Sequence, residues 1–363
     1  MNIWDYNFHY NAQAVFFSIF LFILAIYKYG IVYRGVISNN KDYLFVFLLL
    51  ALFSTFAYGE ADFYHYQFHY DMMKHYDVKS ISEPIYFWIA KNLPDNYFIW
   101  RFSIWGTAAL FMVLSLKIVG VNASCAGLML PIYFWAQFSL TRGGLGFAII
   151  TLSFAMFFSE SKLAKIFALV AVSSSIFFHH SIAAFLLIVP LALITPLNSK
   201  LIRFSLLLFP VLYLGMMVGT NYLLDLNFLN SETEQLAEHY FEGAKASVNV
   251  FGAIFDILHF SGQLTMLYLA MNFVLNNKAN INKVVVALFK YGYILVYISF
   301  LFYGQGTSSF LSSRFLHAST FPLVIVYSYY LTYHRMNKTD RLALLLLGSY
   351  ALYALLYAMY KWW

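Results

Sequence analysis

Runs of about twenty apolar residues recur along the chain, and mostly short connections separate them. Hydrophobic residues make up 62% of the 363 residues and charged residues 10%, where a soluble domain carries roughly 25% charged residues. Lipid offers the backbone no hydrogen-bonding partner, so only helices or closed barrels cross it. The apolar runs lack the weak period-two alternation of an outer-membrane barrel. The expected fold is therefore all-α, a polytopic integral membrane bundle of about 11–12 transmembrane helices. Spans are expected at 12–33, 43–59, 98–117, 121–140, 143–159, 163–179, 181–197, 201–224, 251–275, 284–304, 315–334 and 342–360. The pair 163–179 and 181–197 has almost no loop, so one member is expected to be broken or re-entrant.

The cations fall on one side of this pattern. Arg34, Lys41, Lys117, Lys162, Lys165, Lys200, Arg203, Lys278, Lys283, Arg335, Lys338 and Arg341 all sit in or beside alternate short connections. Cytoplasmic connections carry the excess of Lys and Arg. These connections are thus expected inside and both termini outside. The formal charge of +6 follows from this distribution and does not point to nucleic acid. The N-terminal MNIWDYNFHYNAQ has no Lys or Arg, so it lacks the basic region of a cleaved signal peptide, and the first span is expected to be retained. Cys125 is the only cysteine, which excludes an intrachain disulfide and a cysteine metal cluster. There is no P-loop, dinucleotide fingerprint, HExxH or internal repeat.

Two longer segments, 59–97 and 225–250, are expected outside a single transmembrane domain that spans 1–363. Both are acidic. In the first, SEPIYFWIAKNLP reads as a short amphipathic helix: Ser82 can cap it, Pro84 suits its first turn and Pro94 follows its end. In the second, SETEQLAEHYFEGAKA reads as a helix capped by Ser231, with Gly243 near its end.

A few charged residues break the positive-inside pattern. Arg142 in SLTRGGLGFAII, Arg314 in SSFLSSRFLHAS and Arg101 at the start of the third span all lie at outer ends, as do His179 and His180 in SIFFHHSIAAFLL. Ionisable residues within the membrane are functional candidates by default. Arginine carries a permanent charge on a planar donor fork that matches phosphate. Gly143 and Gly144 would let a head group approach the backbone, and the helix that starts there adds free N–H groups and a favourable dipole. Histidine can hold or donate a proton at neutral pH, and Glu83 can act as a base or bind a sugar hydroxyl. Asp62 and Asp256 are further carboxylate candidates, and Tyr64, Tyr66, Tyr86 and Trp88 are candidate sugar-stacking rings. Each residue also has a plain reading. The arginines can snorkel to head groups, the histidines and aromatics can pack, Glu83 can favour a helix start, and loop acids are usually solvated.

The order of these motifs resembles the EpsG family, which includes Wzy-type polymerases of bacterial surface polysaccharides. The resemblance covers roughly 60–320. It rests on EADFYHYQFHY after the second span, the EP helix SEPIYFWIAKNL, the arginine–glycine start TRGGLGFAI, the step FFHHSIAAF and the late arginine in SSRFLHAS. The family step looks like H-x-S, which favours His179, although the doubled histidine leaves the choice open. Many relatives carry glutamine where this chain has Gly143, which removes a polar contact. The resemblance implies a GT-C-like bundle in the bacterial inner membrane with its active site facing the periplasm. The implied reaction joins oligosaccharide repeat units carried on undecaprenyl pyrophosphate, and no nucleotide sugar or other cofactor is implied. Arg142, Arg314 and Arg101 are then expected to bind pyrophosphate. His179, His180 or Glu83 would be catalytic, and Asp62, Tyr64, Tyr86, Gly143 and Gly144 would contact substrate. A metal is not required if arginines neutralise the leaving group. Membrane lipid, a chain-length regulator and a flippase of the same pathway are the expected partners.

Other classes meet these residues less well. A flippase for lipid-linked oligosaccharides also needs arginines, but it is expected to show polar residues along a central path and repeat symmetry. An O-antigen ligase shares the donor and differs in acceptor; motif order favours the polymerase. A polysaccharide acyltransferase takes its acyl group from the cytoplasmic side. A scaffold would not place two arginines at exposed membrane ends.

Overall fold

The computed structural model describes residues 40–56, 63–76, 84–130, 132–133, 143–158, 160–178, 182–225, 250–278, 280–302 and 309–349. The side chains of some helical residues, Tyr64 and Asp256 among them, lie outside that description. The described elements are all helical. In chain order they are α1 (Asn40–Phe56), α2 (Phe63–His75), α3 (Pro84–Asn92), α4 (Tyr97–Val119), α5 (Ala123–Leu128), α6 (Gly144–Phe157), α7 (Lys162–Ser174), α8 (Ile182–Leu186), α9 (Ile188–Ile194), α10 (Ser199–Asp225), α11 (Val250–Asn276), α12 (Lys283–Leu301) and α13 (Ser309–Tyr333). A further helix, α14, occupies 338–349.

Among the described residues, four helices are long and apolar enough to cross a membrane: Tyr97–Val119, Ser199–Met216, Ile257–Asn276 and Lys283–Leu301. The protein is a polytopic helical membrane protein. The remaining apolar helices are shorter than the sequence suggests. The span expected at 143–159 is the 14-residue α6. The span expected at 181–197 is interrupted at Leu187, between α8 and α9. Pro190 explains the break, since it cannot donate to the carbonyl of Leu186. Its neighbour α7 ends in a 3-10 turn over Ser175–Phe177. The parts of the expected spans at 12–33 and 121–140 beyond these elements, and the helix expected at 231–243, lie outside the described residues.

Local sequence sets the clearest boundaries. Asn96 caps α4 by accepting from the N–H groups of Phe98 at 2.9 Å and Ile99 at 3.1 Å. Gly120 ends α4 with φ 80° and donates to the carbonyls of Leu116 and Lys117, a left-handed cap that suits glycine. Asn122 then caps α5 through Ser124 N–H at 2.8 Å. The start of α14 is a reciprocal cap: Asp340 N–H donates to Asn337 Oδ1 at 2.9 Å, and Asn337 N–H donates to Asp340 Oδ2 at 2.7 Å.

At the centre stands α13. Every residue from Leu316 to Leu331 is buried, and the helix packs on α4, α5, α6, α11 and α12. A helix apolar on all sides belongs inside a bundle. Small residues bring its neighbours close. A Cβ on Gly292 of α12 would stand 2.6 Å from Leu323 of α13, and one on Gly144 of α6 would stand 2.7 Å from the Trp105 ring of α4. By contrast α7 and α10 expose Leu163, Phe167, Val170, Phe204, Leu207 and Val211, which suits a lipid-facing wall.

The bundle has two distinct ends. At one, the lysine-bearing connections meet: Asn122 N–H donates to Thr332 Oγ1 at 2.9 Å, Tyr43 donates to the carbonyl of Val121, and Lys278 Nζ donates to the carbonyl of Leu197 at 2.8 Å. At the other lie the start of α4, the end of α7, the starts of α6, α8 and α13, and the α2–α3 hairpin.

Candidate functional site

The motif-bearing segments converge at this second end. The Phe147 ring of α6 meets the Phe185 ring of α8 edge to face at 4.8 Å. Phe185 in turn lies 4.8 Å from Phe315 of α13, and Phe315 stacks on Phe302 at 5.9 Å. Such ring pairs add to simple burial. Nearby, Ile182 of α8 packs so closely on Gly146 of α6 that a Cβ there would lie 1.9 Å from Ile182 Cδ1. The segments that follow Arg142 and His180 and the helix that carries Arg314 are therefore joined by described side chains. Arg142, His179, His180, Glu83 and Asp62 themselves lie outside the described residues, as does the side chain of Tyr64.

Gly143 and Gly144 differ in what they face. A Cβ on Gly143 would meet only the ring of Phe147, its own helix neighbour, at 3.1 Å. Gly144 is buried against Trp105 and Phe321. Its missing side chain admits neighbouring helices, which corrects the expectation that it opens the backbone to a head group. Gly143 remains partly exposed where α6 begins, and no side chain caps that start.

The α2–α3 hairpin covers the aromatic start of α4. Tyr86 is almost fully buried, with its ring 6.1 Å from Trp100 and 6.2 Å from Phe178. Its carbonyl accepts from Trp100 Nε1 at 3.3 Å. Tyr86 thus ties the helix that follows Glu83 to the residue that precedes His179. Packing accounts for its ring. Trp88, one turn part away, is 66% exposed. Two lysines lock the hairpin reciprocally: Lys74 Nζ donates to the carbonyl of Leu93 at 2.7 Å, and Lys91 Nζ to that of Lys74 at 2.8 Å. Tyr70 donates to Asp95 Oδ1 at 3.2 Å. Burial, followed by the Asp95 charge, pushes the Tyr70 phenol up to about 12, so it remains a donor at neutral pH.

Arg101 is placed differently from Arg314. It is 2% exposed; its Nε and Nη2 donate to the carbonyl of Ser54 at 3.2 and 3.1 Å, and Nη1 donates to the Tyr97 hydroxyl at 3.4 Å. Its guanidinium braces the C-terminal turn of α1, where a cation suits the helix dipole. Arg314 is half-buried at the start of α13. Just before it, Ser299 of α12 donates to the Ser312 carbonyl at 2.7 Å.

Behind Arg314 the bundle holds polar residues that the reading of the sequence passed over. His317 and Ser312 of α13 and His259 and Gln263 of α11 are all buried. Their signal was present: polar side chains within apolar runs, at helical spacing on each helix. A separate apolar cavity of about 330 Å³ opens between α9, α10 and α12, lined among others by Leu191, Leu197, Ile202, Tyr293, Tyr297 and Leu301. Lys290 closes one side of it and donates to the carbonyls of Leu193 at 3.1 Å and Thr195 at 2.9 Å.

Residues 41–363 match the EpsG family. No curated protein and no solved structure matches the chain. The family match covers nearly the whole chain, from α1 onwards, and so includes every segment that meets at the aromatic joint; the chain belongs to the EpsG family.

Proposed function

We propose that this protein polymerises lipid-linked oligosaccharide repeat units of a bacterial O-antigen, capsule or exopolysaccharide. It transfers the growing chain from undecaprenyl pyrophosphate to a new lipid-linked unit at the outer face of the inner membrane. The observation that carries this reading is the joint of Phe147, Phe185 and Phe315, which gathers three motif-bearing segments in a chain of the EpsG family. Membership of that family supports a polysaccharide polymerase-type role, and the outward orientation rests on the cation pattern of the connections.

In this reading Arg142 and Arg314 hold the pyrophosphate. The acceptor hydroxyl oxygen attacks the anomeric carbon of the donor. The bond from that carbon to the pyrophosphate oxygen breaks, and its electron pair leaves with the pyrophosphate. The hydroxyl proton passes to His179, His180 or Glu83 and then to water. Direct displacement of this kind inverts the anomeric centre. The arginine forks meet the charge that develops on the leaving group, and the start of α6 adds backbone donors beside Gly143. The apolar cavity beside α12 offers the polyprenyl tail a lateral entry. Arg101 keeps its role of bracing α1 against α4.

The test is deletion of the gene in its host, complemented with wild type or Arg142→Ala, with the surface glycan resolved on a gel. Single repeat units on carrier or core, and a ladder restored by wild type alone, support the polymerase and place Arg142 in its site. Repeat units retained on the cytoplasmic face would identify a flippase. Polymer that forms but stays on its carrier lipid would identify a ligase. A full ladder with Arg142→Ala would overturn the assignment of that residue.

A further inference from the structure

We propose that His317 is a positioning residue for Arg314, itself held by His259 and Gln263 from the facing helix; this rests on the pyrophosphate role of Arg314 given above. Arg314 and His317 stand three residues apart on α13 and so share a face. His317 is 6% exposed, and His259 and Gln263 of α11 are each 1% exposed. Polar side chains this deep in a membrane bundle are costly and call for a task. His317 interacts electrostatically with both His259 and Arg314, so its ring lies within reach of each.

The chemistry of the far end is fixed by the backbone. His259 Nδ1 lies 2.8 Å from the carbonyl of Leu347 in α14. A carbonyl only accepts, so Nδ1 carries the hydrogen, and in the neutral ring Nε2 is an acceptor. Gly262 makes this contact reachable: a Cβ there would stand 2.7 Å from the Leu347 nitrogen and 2.9 Å from the Ala343 carbonyl. Gln263, one turn beyond His259, acts on the same ring. Asp256 occupies the register one turn before it. This side of α11 therefore presents a fixed polar surface toward His317.

A neutral imidazole suits the task better than a carboxylate would. A carboxylate beside Arg314 would cancel its charge and compete with a phosphate for the same N–H groups. A neutral ring nitrogen can accept one N–H, orient the fork and leave the charge for the anion. Orientation matters because bidentate recognition depends on the plane of the guanidinium.

The test is a double-mutant cycle on the purified full chain in lipid nanodiscs. Binding of a polyprenyl pyrophosphate is followed by tryptophan quenching, with the corresponding polyprenol as the control. Arg314→Ala should weaken pyrophosphate binding about tenfold, and His317→Leu by several-fold, with polyprenol binding unchanged. The double variant should bind no more weakly than Arg314→Ala alone, and His317→Gln should bind within about twofold of wild type. If His317→Leu does not fold, His317→Phe carries the same cycle. An equal loss from the His317 substitution with and without Arg314, or no loss in either, overturns the positioning role and leaves the proposed function standing. Wild-type binding by Arg314→Ala overturns both.

Discussion

Arg101 of α4 grips the backbone carbonyl of Ser54 in α1 through two nitrogens, Nε at 3.2 Å and Nη2 at 3.1 Å. The two residues lie 47 positions apart in the chain. This contact sets the antiparallel pairing of α1 and α4 at the end of the bundle where the motifs gather. Both donors are charged and both partners are buried, so loss of the arginine leaves an acceptor without its partner. Arg101→Met is expected to lower stability by about 2–3 kcal/mol, read as a clear fall in the midpoint of thermal unfolding in detergent. Arg101→Lys is expected to recover only part of it, because an ammonium cannot reproduce the planar fork. An unchanged midpoint in Arg101→Met would show that the grip contributes nothing.

Two glycines should respond in opposite ways to the same change. A methyl on Gly262 would meet backbone atoms of α14 at 2.7 and 2.9 Å, while Gly215 of α10 has nothing within 4 Å. Backbone cannot rotate aside as a side chain does, so Gly262→Ala must push α11 and α14 apart and stretch the contact of His259 with Leu347. Overpacking of this sort costs about 1–3 kcal/mol. Gly215→Ala should be neutral or stabilising by up to about 1 kcal/mol, since alanine favours a helix over glycine. Parallel unfolding curves of the two variants check this, and equal shifts would refute it.

The reciprocal lysines of the α2–α3 hairpin make a local prediction. Lys74 and Lys91 each donate to the other's strand of backbone, at Leu93 and Lys74 respectively. Replacing either by Met should open the hairpin without unfolding the bundle, because few other polar contacts join the two helices. Hydrogen exchange should rise several-fold in the peptides covering α2 and α3, and stay unchanged in α12 and α13. Uniform protection throughout would mean that aromatic packing alone closes the hairpin.

How much of this was legible in the sequence follows from which forces are local. Helix α3 was readable because Pro84 and Pro94 mark its ends, and α6 because an apolar run begins at Gly143. By contrast α2 was not read as a helix: FYHYQFHYDMMKH looks polar and aromatic, and only the burial of Tyr66, Tyr70 and Met73 at helical spacing reveals its inner face. Tyr70 meets Tyr97 at 5.7 Å and Trp100 at 5.6 Å, partners a hydropathy pattern does not specify. Arg101 was placed at the right end of its span, yet its acceptor is a carbonyl on another helix. His259, Gln263 and His317 were passed over because attention went to charged residues at helix ends, whereas their significance comes from pairing across α11 and α13.

The orientation of the bundle can be tested with its lone cysteine. Cys125 is fully buried, so it should give little background labelling, and Cys125→Ala removes the rest. Trp88 is 66% exposed on the α2–α3 hairpin, and Ser199 is exposed beside Lys200 at the lysine-bearing end. If the cation-rich connections face the cytoplasm, a cysteine at Trp88 should react with a membrane-impermeant maleimide in intact spheroplasts. A cysteine at Ser199 should react only after permeabilisation. The reverse pattern would place the aromatic joint of Phe185 and Phe315 on the cytoplasmic side, where lipid-linked units are assembled rather than joined, and the polymerase reading would then fail at its location rather than at its residues.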